Sequence, residues 1–307
     1  MEYSAIIRKI KQEKNAVILA HYYTVPEVQD VADFVGDSLA LSEEAARTDA
    51  DIIVFAGVHF MAETAKVLSP DKKVLIPDPQ AGCSLAESCP EDLFREFKKN
   101  YPGYKVVSYV NTTVGIKALT DICCTSANAV QVVESIDRDH GIIFAPDRNL
   151  GSYIKKVTGR ENMVLWEGGC HVHEEFSLRK ILELRGEYPR AKIIAHPECK
   201  APVLMAADFI GSTSELLKFC SADSSMEYIV VTEPGVLYQM VKENPEKRFI
   251  PAPGVDSTCG CNECAFMKMI TLEKIYNCLM NEEPQISIPE DVRKKAFGSI
   301  EAMLAIK

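Results

Sequence analysis

The chain has 307 residues, with 34 Lys+Arg against 44 Asp+Glu and a formal net charge of −10, which excludes the basic footprint a nucleic-acid partner needs. At 47% hydrophobic and 25% charged it has an ordinary globular composition. A chain of this size can bury roughly 75% of its unfolded surface, so no disulfide is required to build a core. No run approaches the roughly 18 apolar residues of a membrane span. Met1 to Lys14 is polar and charged, unlike a signal peptide, so the expected location is the cytoplasm. In that reducing compartment 11 cysteines are too many to be read as paired, and some are expected to bind metal or do chemistry.

Taken in chain order, the predicted elements recur three times. The first unit opens on Asn15-Ala-Val-Ile-Leu-Ala-His21, a short apolar run suited to a buried parallel strand. It continues through Ala32-Asp33-Phe34-Val35-Gly36-Asp37-Ser38 to a second strand at Ile52–Ala56, a helix at Phe60–Leu68 and a third extended run at Val74–Pro77. The second unit repeats this with Lys105–Tyr109, Thr120–Ser126, Gly141–Ala145, a helix at Leu150–Val157 and Met163–Trp166. The third does so with Lys192–His196, Ala207–Thr213, Tyr228–Thr232, a helix at Val236–Lys242 and Phe249–Pro251. From strand end to aspartate the intervals are 33 − 21, 121 − 109 and 208 − 196, all 12, and to the following hydroxyl residue (Ser38, Ser126, Thr213) all 17. Chance likeness of apolar runs would not preserve both distances.

Strands alternating with helices predict an α/β fold of parallel sheets covered by helices. Length alone suggests two domains; the repeat replaces them with three, at residues 1–84, 85–171 and 172–288. The final stretch, residues 289–307, is expected to form a helix that packs back on the first unit, with Arg293-Lys294-Lys295 on its solvated face.

Each unit ends in a glycine-associated cysteine: Gly82-Cys83, Gly168-Gly169-Cys170, and Cys259-Gly260-Cys261-Asn262-Glu263-Cys264. If three similar units pack around a pseudo-threefold axis, these distant thiols meet, and three thiolates suit a soft metal site. A closed structural zinc site wants four ligands, generally from two paired knuckles, and this chain has one tight cluster. A four-iron cluster normally takes four thiolates, so three would leave one iron open as a Lewis acid.

At this point the sequence resembles the quinolinate synthase family, the iron-sulfur enzymes of NAD biosynthesis. The resemblance runs through Leu19-Ala20-His21-Tyr22-Tyr23, Pro26-Glu27-Val28-Gln29-Asp30, Gly36-Asp37-Ser38-Leu39, Phe60-Met61-Ala62-Glu63 and Tyr109-Val110-Asn111. It continues through Thr125-Ser126-Ala127-Asn128-Ala129, Gly169-Cys170 with His173, His196-Pro197-Glu198-Cys199, and Cys264 ahead of Met267-Lys268 and Thr271-Leu272-Glu273. It implies three repeated three-layer α/β/α units around a pseudo-threefold axis, with the site between them. It also implies a 4Fe-4S cluster on Cys83, Cys170 and Cys264, one iron being open. The implied reaction is a transferase-class condensation of iminoaspartate with dihydroxyacetone phosphate to quinolinate, with iminoaspartate supplied by an aspartate-oxidising enzyme and with neither a nucleic acid nor a membrane as partner.

Such a reaction needs proton shuttles and anion donors, and the repeat places candidates at equivalent positions. His21, Tyr109 and His196 stand at strand ends, with Tyr23, Asn111 and Glu198 two residues on. Ligands of open α/β sheets bind at such ends. Tyr23 and Glu198 are the expected proton-transfer groups, with His21, His173 and His196 orienting substrate and Tyr109 and Asn111 positioning its oxygens. Ser38, Ser126 and Thr213, at turns entering helices, are expected to bind carboxylates or phosphate, and Met61 lines the same site in the family.

Two positions depart from the family pattern: Tyr22 replaces a common asparagine and His59 a common aspartate, and both are expected to alter loop packing without changing the chemistry. The run Cys259, Cys261 and Cys264 leaves room for a redox-sensitive pair at Cys259 and Cys261. Cys89, Cys123, Cys124, Cys199, Cys220 and Cys278 are expected to be buried or incidental. The competing readings are a zinc hydrolase with His171, His173 and Cys170 as ligands, and an iron-sulfur redox sensor built on the C-x-C-x-x-C run.

Overall fold

A computed structural model describes residues 2–255 and 262–306; Cys259 and Cys261, and with them the expected redox pair, lie outside the described residues. The first sheet contains β1 (Ala16–His21), β2 (Phe34–Gly36), β3 (Ile52–Ala56) and β4 (Lys73–Leu75). The second contains β5 (Lys105–Tyr109), β6 (Ile122–Cys124), β7 (Ile142–Ala145) and β8 (Met163–Leu165). The third contains β9 (Lys192–Ala195), β10 (Phe209–Ile210), β11 (Glu227–Val231) and β12 (Arg248–Pro251). Every pairing is parallel, and one strand order serves all three sheets: β2-β1-β3-β4, β6-β5-β7-β8 and β10-β9-β11-β12.

The inner strands are apolar over most of their length because helices cover both faces, with polar residues chiefly at their ends. In the first sheet Leu19, Ile53 and Phe55 point into one core while Ile18, Ala20 and Val54 point into another, the period-two alternation of a strand. The first of these cores continues into Val107, Tyr109 and Phe144 of the second sheet, so the two units share buried surface.

The edge strands β2, β6 and β10 are an addition to the three predicted runs per unit. They are short, and a local hydrogen-bond device holds them. Asp33, Asp121 and Asp208 each accept the backbone N–H of Ile18, Val106 or Ile193 on Oδ2 at 2.8 Å. Their own N–H groups return to the carbonyls of the same three residues at 2.9, 3.0 and 2.7 Å. The invariant twelve-residue spacing is therefore the length of chain needed to leave an inner strand, cross back and clamp it beside its edge neighbour.

The chain beyond residue 264 departs from the expected boundaries. Leu272–Asn281 is a helix whose Ile275, Cys278 and Leu279 pack with Ile7 and Ile18 in the first unit rather than on the third sheet. Ile286 then donates its N–H to the Val74 carbonyl. The terminal helix Glu290–Ala305 does not rest on the first unit alone: it buries Ala296, Ile300 and Met303 against Val67 of the first unit and Cys123 of the second. An apolar stripe marks a helix as packed but carries no address for its partner. No helix among the described residues is long and apolar enough to cross a membrane.

Candidate active site

Equivalent strand ends from the three sheets open into one cavity of about 710 Å³ of atom-free space, its mouth included. His21 ends β1, Tyr109 ends β5, and His196 follows β9 directly. Past each end the chain turns sharply: Thr24 N–H donates to the His21 carbonyl at 3.0 Å and Cys199 N–H to the His196 carbonyl at 3.0 Å. The same turn orients both imidazoles. His21 Nδ1 accepts the Tyr23 N–H at 3.2 Å and His196 Nδ1 the Glu198 N–H at 3.4 Å. In a neutral ring the hydrogen is then on Nε2, the nitrogen left to the cavity; His196 directs it at Ser126 Oγ, 3.2 Å away.

The cavity brings together every residue expected at the site: His21, Tyr23, Ser38, Met61, Tyr109 and Asn111 from the first two units, with Cys83. Ser126, Cys170, His173, His196, Glu198, Thr213 and Cys264 complete its wall. Ser38 and Thr213 are the first residues of the helices Ser38–Arg47 and Thr213–Ala222, whereas Ser126 lies in the turn before the helix Ala129–Ser135.

At the centre, buried Glu198 accepts the Tyr109 hydroxyl on Oε1 at 2.6 Å, and its Oε2 lies 3.1 Å from His173 Nδ1. Burial would push this carboxyl up, but His173 and His196, with hydrogen bonds from His173 and Tyr109, outweigh it and hold Glu198 below the usual carboxylate range. Burial, with His196 next, lowers His21 to about 3, and burial likewise lowers His196 to about 3 against the opposing pull of Glu198. Burial and the Glu198 charge push the Tyr109 and Tyr23 hydroxyls well up, so both remain proton donors. Tyr23 does not meet Glu198 directly: its hydroxyl lies 2.9 Å from Thr213 Oγ1 and 2.8 Å from Thr232 Oγ1.

The three thiols share a local geometry that spacing did not disclose. Cys83, Cys170 and Cys264 each occupy the N-cap of a four-residue helix, Ser84–Glu87, His171–Glu174 and Ala265–Lys268. Burial pushes the Cys83 thiol up to about 12 and Cys264 up to about 11. Burial, then Glu198 and Cys83, push Cys170 well up. Thiols that line one cavity and resist ionisation alone are the setting in which a soft cation, by stabilising thiolates, displaces protons. Asn111 lines the same cavity, and its Oδ1 is buried without a hydrogen-bond partner. The donor set therefore fits a thiolate-ligated cluster with room for a bound substrate.

The alternative ligand set His171, His173 and Cys170 is divided by the structure. His171 is exposed and meets Ser84 Oγ through Nδ1 at 2.6 Å, because residues two apart on a helix do not face the same way. Cys170, His173 and Glu198 are instead the one metal-compatible trio among the described residues, with His173 Nδ1 at 3.3 Å from Cys170 Sγ. The other cysteines expected to be incidental, Cys89, Cys123, Cys124, Cys199, Cys220 and Cys278, are all buried free thiols. Thr232, which meets Tyr23 and His173, and Glu233, which lines the cavity, were missed in the sequence, although Thr232 ends the recognised run Tyr228–Thr232 and Glu233 follows it directly.

The quinolinate synthetase A protein family (NadA) matches residues 5–305. A quinolinate synthase of Thermosynechococcus vestitus is 59% identical over 98% of this chain and 94% of its own length. One from a Synechococcus species is 58% identical over the same shares, and one from Chloroherpeton thalassium 56% identical over 98% and 93%. A reductase of Plasmodium falciparum acting on E-1-hydroxy-2-methyl-but-2-enyl-4-diphosphate reaches a TM-score of 0.30 at 11% identity, over 86% of this chain and 81% of that one, too low to bear on fold or function.

Proposed function

The chain belongs to the quinolinate synthetase A family and is a quinolinate-forming enzyme of NAD biosynthesis; we propose that it condenses iminoaspartate with dihydroxyacetone phosphate in the cavity where its three units meet. Loss of phosphate and two waters balances this condensation with no change of oxidation state. The observation that carries the reading is the convergence of proton-transfer, anion-binding and thiol groups, drawn from three separate stretches of sequence, on one cavity.

Cys83, Cys170 and Cys264 would hold a 4Fe-4S cluster, which when bound supplies a Lewis-acidic iron with an open position. Glu198, whose contacts to Tyr109 and His173 support the reading, is the group that takes a carbon-bound proton. Tyr23, aligned by Thr213 and Thr232, is the weak acid for a departing hydroxyl. His21 offers its Nε2 hydrogen to developing negative charge, and Asn111 Oδ1 accepts from a substrate hydroxyl or nitrogen. Ser38, Ser126 and Thr213 match the two carboxylates and one phosphate that the substrates carry between them. Burial of His21, Tyr109, His173, His196 and Glu198 keeps bulk water, which would hydrolyse an imine, away from the proton-transfer groups. The reading includes a cytoplasmic setting and an aspartate-oxidising enzyme as the source of iminoaspartate.

Anaerobic purification with iron and sulfide analysis, followed by a quinolinate assay with both substrates, tests this reading. The expected result is a coloured protein with about four irons per chain that forms quinolinate. A colourless protein with stoichiometric zinc would favour a mononuclear site at Cys170, His173 and Glu198 instead. A stable cluster without product would favour the redox sensor.

A further inference from the structure

Two buried carboxylates stand beside the cavity in roles that the proposed chemistry does not use. Asp147 lies two residues past the end of β7 (147 − 145) and Glu233 two past the end of β11 (233 − 231), and both are 0% exposed. Each divides its oxygens between two backbone amides. Asp147 Oδ1 accepts the Leu150 N–H at 2.8 Å and Oδ2 the Cys170 N–H at 3.2 Å. Glu233 Oε2 accepts the Gly235 N–H at 2.7 Å and Oε1 the Cys264 N–H at 3.1 Å. Thus one oxygen fastens the chain after an inner strand and the other the peptide N–H of a cysteine; in the second unit this is added to a backbone tie, Arg148 N–H to the Gly168 carbonyl at 2.9 Å.

The first unit breaks the pattern. Its equivalent position, two past the end of β3 (58 − 56), is Val58. There the approach to Cys83 is tied by backbone alone, His59 N–H to the Ala81 carbonyl at 2.7 Å. An apolar residue therefore suffices for packing at this place. Burying a carboxylate instead is costly unless its bonds are needed. In the third unit Lys268 Nζ lies 2.8 Å from Glu233 Oε1 and also donates to the Tyr23 carbonyl at 2.7 Å, joining the Cys264 anchor to the loop that carries Tyr23.

We propose that Asp147 and Glu233 are positioning residues for the cluster ligands, each holding the peptide N–H of one cysteine so that Cys170 and Cys264 are aimed before iron arrives, while Cys83 is the ligand held by backbone alone. This inference rests on the assignment of Cys83, Cys170 and Cys264 as cluster ligands. Asparagine or glutamine keeps the shape but presents an NH2 to one of the two amides, so one anchor is lost in each variant. Outer partners of metal ligands commonly change affinity by about 10-fold to 100-fold.

The test compares anaerobically reconstituted wild-type enzyme, Asp147→Asn and Glu233→Gln, with Ser299→Ala as a buried substitution away from the cavity. The expected result is cluster loss to an iron chelator at least about tenfold faster in both carboxylate variants, and an altered paramagnetic resonance spectrum of the reduced cluster. Circular dichroism of the chelated proteins should match wild type, and Ser299→Ala should keep the wild-type rate and spectrum. Amide hydrogen exchange of the wild-type enzyme provides a measurement that needs no variant: the Cys170 and Cys264 amides should exchange more slowly than that of Cys83. Unchanged cluster loss in both variants, or equal exchange at the three cysteines, overturns the positioning role while leaving the cluster in place. A wild-type chain that takes up no cluster overturns the ligand assignment, and the positioning role with it.

Discussion

Glu198 is held by partners from two other stretches of chain, the Tyr109 hydroxyl and the His173 ring, and these fix both its charge and its direction. Glu198→Gln should keep the shape and the iron content while lowering kcat by about 10²-fold to 10⁴-fold, the span of a lost general base. Steady-state assay beside iron analysis checks this, and near-normal turnover would remove Glu198 from proton transfer. His21 and His196 impose a pH signature of their own. Both rings sit at about 3 in the folded protein against 6.5 for an unburied histidine. Between those values the unfolded chain binds more protons, so stability is complete above about 6.5 and is lost as pH falls towards about 3. Urea midpoints measured across that interval should fall with pH, and less steeply in His21→Asn.

Among the elements, the edge strands depend on a single side chain each. Asp121 satisfies the Val106 N–H, which is buried within the second sheet. Asp121→Ala should cost about 1–3 kcal/mol, the penalty for leaving a buried donor without a partner. Asp121→Asn, whose carbonyl oxygen can still accept, should cost less; equilibrium denaturation compares the two. The recurrence of these aspartates was plain from spacing alone, but their role was not. Two- and three-residue strands have too few apolar positions for a period to show. The cysteines present the same division at this scale. Their place at the end of each unit was legible, whereas their shared N-cap position depends on four-residue helices too short to be signalled by pattern.

At the scale of the molecule, the terminal helix Glu290–Ala305 closes the junction between the first two units. Ile300 is wholly buried there, and Ile300→Ala should destabilise the fold by about 2–5 kcal/mol, seen as a lower urea midpoint. Because the helix meets both Val67 and Cys123, that loss should loosen the cavity formed between the units as well as the helix itself. Local pattern was sufficient for the three copies, their inner strands and the strand-end residues, since alternation, apolar runs and fixed spacing are properties of neighbouring residues. Docking of the units alone set the rest: Tyr109 against Glu198, 89 positions away, Asp147 beneath Cys170, and the helix Leu272–Asn281 on the first unit rather than the third. Those contacts depend on which apolar faces bury one another, and any apolar face can, in sequence, be matched to several others.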